Sequence, residues 1–320
     1  MKMNRSIIRK INVSDYLYIL TAVTVITVFT ILRPNFLSPF SIQNMLLAIG
    51  PLLMISAGAS FVLFSGSIDL SVGAMVSCIC VITGLYVAYL GNAIIPLMLV
   101  AGAVMGAGNG LLVAKLKIPS FIATLCTLNI WNFIALVLSG GRSQAIPFES
   151  REMVSWATRN VAFVPVIFWL SLVMLLFFFF VQKYTPIGKT IFAVGGNERA
   201  AYLAGINTSA AKIWAFTLSG MGSAFAGTMY AYKLRSSVPT VGDPLTLLAI
   251  SAIALGGTLM SGGKGSVLRT LVGVITVTAI SSGMNMMGVD ALWQRIVYGT
   301  ILIVTVFFNS YKGGKDIIVK

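Results

Sequence analysis

Histidine is absent from the 320 residues, and there are only three cysteines. Imidazole and thiolate are the usual ligands of zinc and of transition metals, so metal sites and disulfide staples have almost nothing to build on. Cys78 and Cys80 stand two apart, which points them to different sides of a helix, and all three cysteines lie in apolar runs as small packing residues. Without histidine no Ser-His-Asp set exists, and no Ser-Lys or paired-carboxylate spacing replaces it. Charge is scarce as well. Only 9% of the residues are charged, and acids number 8 against 22 bases. Soluble domains carry about 25% charged residues, so a water-facing globule is excluded.

What is present is apolar. Hydrophobic residues make up 58% of the chain, and the mean hydropathy is +0.95. The apolar runs are 16–32, 42–64, 70–90, 93–114, 121–138, 161–181, 213–230, 245–255, 267–287 and 292–308. Most approach the roughly 20 residues that cross a bilayer as helix, the run at 245–255 being short. Alternation at period two is absent, and backbone groups in lipid must pair within their own segment. The expectation is an all-α polytopic membrane protein with about ten transmembrane helices, residues 1–320 forming one domain. The basic segment 1–14 precedes a first run that is too long for a signal peptide and lacks a small-residue cleavage site, so that run is expected to stay as a span.

With the N-terminus in the cytoplasm, that side receives fifteen of the 22 Lys and Arg. The positive-inside rule then places segment 1–14, the loop 183–212 and the tail 309–320 in the cytoplasm. The net charge of +14 reflects this asymmetry and the membrane surface, and no basic face with interleaved aromatics lies outside the membrane to bind nucleic acid.

Two apolar-to-polar breaks read as interrupted spans, Ser65 to Asp69, with Gly66 and Asp69 in it and Ser71 just beyond, and Gly256 to Ser266, opened by Gly256 and Gly257. Irregular backbone at membrane depth is tolerated only where protein or water satisfies it. The breaks precede spans three and nine, which hints at an internal duplication. Asp69 is either the N-cap of a helix starting at Leu70 or an intramembrane functional carboxylate. The stretch 262–266, Gly-Gly-Lys-Gly-Ser, is not a phosphate loop. Thr258 stands where the first glycine is required and Gly265 follows Lys264. No cofactor is expected, and ATP energy would have to come from another subunit.

Gly102, Gly106 and Gly110 recur every four residues, as do Ser219, Ser223 and Gly227, a spacing that lets helices approach closely. Ser120, Thr124, Thr127 and Trp131 share one helix face; Thr278, Ser282 and Asn285 share another. Each stripe is either interhelical glue or the lining of a wet path for a neutral polyol. In the loop 183–212, residues 198–203 (ERAAYL) are good helix formers, with Asn197 as N-cap, Glu198 favoured by the dipole and Gly205 as the stop. A short helix outside the membrane between two spans is a handle for another protein.

The run Gly195-Gly196-Asn197-Glu198-Arg199-Ala200-Ala201-Tyr202-Leu203-Ala204-Gly205-Ile206 resembles the cytoplasmic coupling loop of ABC-importer permeases of the ribose, galactose and xylose type. Residues 65–73 (SGSIDLSVG) resemble that family's GGIDLSVG signature. Residues 109–111 with 119–125 resemble its NGLL and P-x-FIATL block, and 256–266 followed by 283–285 and 293–295 complete the order. The resemblance covers most of the chain from Ser65 onward. Ser67 replaces the second glycine of the signature, and Ala204 stands where serine is usual; both exchanges are small for small. The resemblance implies a sugar or sugar-like substrate and a second permease copy or a related permease. It also implies a cytoplasmic ATPase gripping Gly195, Gly196, Asn197, Glu198, Arg199, Ala200, Ala201 and Gly205, and a solute-binding protein on the opposite face. A self-powered carrier or channel is the alternative, but it would need a titratable or cation site near the midplane, and beyond Asp69 the sequence offers none.

Overall fold

The computed structural model describes residues 17–312. The terminal segments expected in the cytoplasm, 1–14 and most of 309–320, lie outside the described residues. A helix stands at each of the ten apolar stretches: α1 (Leu17–Leu32), α2 (Pro39–Phe64), α3 (Val72–Leu90), α4 (Ile94–Ala114), α5 (Ser120–Ser139), α7 (Val166–Tyr184), α10 (Thr208–Leu234), α11 (Leu245–Leu255), α12 (Val267–Met286) and α13 (Ala291–Lys312). Shorter helices lie between them, α6 (Arg151–Ser155), α8 (Pro186–Gly196) and α9 (Glu198–Leu203). Five described helical stretches are long and apolar enough to cross a membrane, Val72–Ala114 (α3 with α4) being one.

α10 is the central post. Gly102, Gly106 and Gly110 of α4 lie against the α10 backbone at Gly220, Phe216 and Ile213, where any side chain would hold the helices apart. The packing partners reveal two halves related by inversion. α10 runs antiparallel to α2, meeting it where Gly222 faces Gly58. It packs parallel to α3, Gly227 lying on Val76 and Ile79, and antiparallel to α4. α2 in turn packs parallel to α11 and antiparallel to α12, with Ser60 Oγ 3.1 Å from Thr270 Oγ1. Each half therefore lends its first helix to the second and third helices of the other half, the arrangement of inverted-repeat transporters.

Two helix starts differ from expectation by five residues. The run 161–181 starts its helix only at Val166, because Asn160–Val161 (β2) and Val164–Pro165 (β3) form a tight hairpin with Ala162 and Phe163 at positive φ. α10 starts at Thr208, five residues before its apolar run, because Asn207 caps it by accepting from Ala210 N at 2.9 Å.

Candidate functional site

Between α2 and α3 the chain leaves helix for residues 65–71, turning at Gly66 with φ +76°. Asp69 is not the N-cap of a helix at Leu70, since α3 begins at Val72 with Ser71 in the capping position. Its carboxylate is buried and ties three elements. Oδ1 accepts from Ser71 N at 3.0 Å and Ser71 Oγ at 2.7 Å, and Oδ2 accepts from Ser219 Oγ of α10 at 2.9 Å. Asn109 Nδ2 of α4 donates to Ser71 Oγ at 2.8 Å. Charge-assisted bonds of this kind hold a buried carboxylate without a basic partner. The role of Asn109 was readable only from its place in an apolar span, where an amide is costly unless bonded.

The free N–H groups of the break are met by α5. Ile68 N donates to Ser120 Oγ at 3.2 Å, and Leu70 N donates to Thr124 Oγ1 at 3.1 Å. Thr124 and Thr127 are buried, and Trp131 is half-buried with an indole N–H that meets no acceptor among the described residues. Within the single chain, the first two members of this stripe, Ser120 and Thr124, serve as backbone partners of the break.

The second interruption lies before α11, not at 256–266. After α10 the pair Ser236–Ser237 (β4) bonds antiparallel to Gln144–Ala145 (β1). From there the chain runs down α3, with Ser237 against Gly84 and Gly242 against Gly73. Gly242 N donates to Ser77 Oγ at 2.8 Å, and Thr246 Oγ1 accepts from Gly73 N at 3.1 Å and donates to Leu70 O at 3.4 Å. The span is thus irregular over 236–244 and helical only from Leu245, which accounts for the shortness of α11. The second break thus lies against the first turns of α3, and the first break meets the start of α11 through Leu70 and Thr246. Gly256 and Gly257 instead close α11 and open a turn, Gly256 packing on Arg269 of the antiparallel α12, whose Gly273 lies on Ala252 of α11.

In the loop 183–212, Asn197 caps α9 through Ala200 N at 3.0 Å, and Gly205 follows the helix with φ +83°. Glu198 is ion-paired with Lys212 of α10 at 2.7 Å. Gly196, Arg199 and Ala200 are exposed, Ala201 is buried, and Tyr202 and Leu203 stand 70% and 77% exposed. The sequence reading missed α8, although Thr185 followed by Pro186 is a helix-start signal; Thr185 Oγ1 accepts from Gly188 N at 3.3 Å. At the end of α8, Gly195 presses on the Phe64 carbonyl, which also accepts from Gly263 N at 3.0 Å, while Gly262 rests on Gly66. The end of α2, the end of α8 and the 256–266 turn form one clasp made of glycine backbone.

On α12, Thr278 is buried, whereas Ser282 and Asn285 open into a cavity of about 520 Å³. Cys78 and Cys80 are buried and Cys126 is exposed, all three unbonded to sulfur, and the described residues hold no group of three or more metal-ligating side chains.

Broken spans that satisfy one another's backbone are a feature of membrane transporters. The chain belongs to the family described as the permease component of the branched-chain amino acid transport system, whose model matches residues 41–306. Among curated relatives, it is similar to the ribose import permease protein of Haemophilus influenzae, 33% identical over 303 residues, covering 92% of this chain and 93% of that one. Its similarity to the ribose import permease protein of Escherichia coli K12 is 30% over 298 residues, with 92% and 93% covered. The L-arabinose transport system permease protein of that strain is 33% identical over 283 residues, with 87% and 85% covered. No solved structure matches the chain.

Proposed function

We propose that this protein is the membrane subunit of an ATP-driven importer for a neutral sugar, crossing the bilayer ten times with both termini in the cytoplasm. The opposed directions of successive helices and the excess of Lys and Arg on one side support that topology. Ribose and arabinose permeases among its relatives support the substrate class. A cytoplasmic ATPase grips α8 and α9, where Tyr202 and Leu203 offer apolar contact outside the membrane. A second copy or a related permease packs beside it, lipid covers the remaining apolar faces, and a solute-binding protein docks on the outer loops around 140–165.

The observation that carries this reading is the clasp at Gly195. A displacement of α9 by nucleotide binding is passed through Gly195 to the end of α2 and so to the break at 65–71, which meets the first turn of α11 through Thr246. Packed backbone moves as a unit, because it has no compressible space. The Asp69 network and the α5 hydroxyls hold the break in one arrangement, and releasing it changes access to the path along Ser282 and Asn285.

Proteoliposomes containing the permease with its co-transcribed ATPase and a binding protein test the proposal. Uptake of D-ribose or L-arabinose should need internal ATP and all three components. Uptake by the permease alone would favour the self-powered carrier.

A further inference from the structure

The cavity at the outer corner of the molecule has a chemistry that the path proposal does not use. It lies between the α1–α2 connection with the first turns of α2 on one side and the end of α12 on the other, and its lining includes Asn35, Ser38, Phe40, Asn44, Ser282 and Asn285. No ionisable side chain lines it. Its volume of about 520 Å³ falls in the range of roughly 300–1,000 Å³ usual for small-molecule sites.

The polar groups are free to act on a ligand. Among the described residues, the side chains of Asn35, Asn44 and Ser282 make no hydrogen bond to the protein. Asn285 is held from behind. Tyr298 OH donates to Gln294 Oε1 at 3.3 Å, and Gln294 Nε2 donates to Asn285 Oδ1 at 2.7 Å and to Val289 O at 3.0 Å. That relay fixes the Asn285 amide and leaves its N–H groups available to the cavity. Phe40 is 76% exposed at the rim and presents an apolar ring face.

Amides and a hydroxyl that both donate and accept, one pre-oriented amide, an aromatic face and no charge match a neutral polyhydroxylated solute. An ionic solute would leave its charge unpaired here. We infer that this corner is a binding subsite for a monosaccharide on the outer side of the permease, built from the α1–α2 connection and the first turns of α2 as much as from α12. The inference rests on the sugar-import reading and adds Asn35, Phe40 and Asn44 to it. Each amide supplies one or two exchangeable bonds, so the subsite holds solute weakly and releases it onward.

The assembled transporter in oriented vesicles provides the test. In a Cys126→Ser background, Asn44→Cys should react with a membrane-impermeant thiol reagent from the outer side, and Asn35→Cys serves as the second reporter. Saturating D-ribose or L-arabinose, whichever the wild type imports, should slow the labelling, while a hexuronate at equal concentration should not. Asn44→Leu should raise the sugar concentration for half-maximal uptake about fivefold, the factor for one lost neutral hydrogen bond, with ATPase assembly unchanged. Import by the wild type together with unprotected thiols at both positions would overturn the subsite alone. Absence of import of any neutral sugar by the wild type would overturn the import reading and the subsite with it.

Discussion

The ammonium of Lys233 donates to the carbonyl of Leu47 at 3.3 Å. Pro51 lies four residues further along α2 and has no N–H to offer, so this carbonyl lacks its helical partner. A cation in the last turn of α10 thereby repairs a gap in α2, joining the first helices of the two halves at the end of α10 and the first half of α2.

Replacing Lys233 by Met keeps the length of the side chain and removes the donor. The orphaned carbonyl should cost about 1–2 kcal/mol, read as a lower thermal midpoint in detergent. Pro51→Ala restores an N–H to α2, so the double variant should recover most of the loss. A double-mutant cycle showing full additivity would mean that the two residues act independently.

Glu198→Lys removes the ion pair with Lys212 and places two cations together at the start of α9. The pair is exposed, so folding should change by no more than about 1 kcal/mol. ATPase capture on affinity resin should fall while membrane insertion stays normal. Wild-type capture and uptake would argue against a docking role for α9.

Asp69→Asn keeps one oxygen for Ser71 and turns an amide toward Ser219, whose hydroxyl can rotate to accept. Its cost should be near 1 kcal/mol, whereas Asp69→Ala, which strands the Ser71 and Ser219 donors, should cost about 3 kcal/mol. Thermal unfolding of both variants gives the comparison. If Asp69→Asn folds normally yet abolishes uptake, the carboxylate acts on transport beyond holding the break.

Gly195→Ala drives a methyl group into the Phe64 carbonyl. Overpacking of this kind costs about 1–3 kcal/mol, and here it should separate the end of α8 from the break. ATP hydrolysis should persist while sugar uptake falls, measured as the ratio of the two rates. An unchanged ratio would show that the clasp does not carry the coupling.

Cysteine scanning separates the two polar stripes. Ser282→Cys and Asn285→Cys should react with a small impermeant reagent, Thr278→Cys should react far more slowly, and Thr124→Cys should stay protected, as their burial dictates. Labelling at Ser282→Cys and Asn285→Cys should change when the ATPase is trapped with nucleotide. Silence at both positions in every state would make the α12 stripe a helix contact.

The helices were legible in the sequence because lipid leaves backbone no other choice. An apolar run without polar relief must bond within itself, so α2, α3, α4, α5 and α12 begin and end within three residues of their runs. Asn197 and Gly205 were legible for a similar reason, since a cap acts on neighbours a few positions away. The first break could be seen at 65–69 as a polar turn carrying Gly66 and Asp69, but not what satisfies it.

Only the tertiary structure decided the rest. The segment 236–244, with its Pro, Gly and Asp, reads as an ordinary loop after a span, and nothing local says that it descends beside α3. Gly242 on Gly73 and Thr246 on Leu70 set its depth, and Thr246 and Gly73 are 173 residues apart. The same holds for Asp69, which by sequence alone is either a cap or an intramembrane functional carboxylate, and which is held by its neighbour Ser71 and by Ser219, 150 residues away. Local pattern reports what a residue can do with its own helix. Which hydroxyl meets an orphaned N–H, and which carbonyl a lysine repairs, depends on how distant segments pack, and the physical reason is that an unpaired polar group in a dry interior takes whatever partner the fold brings within about 3 Å.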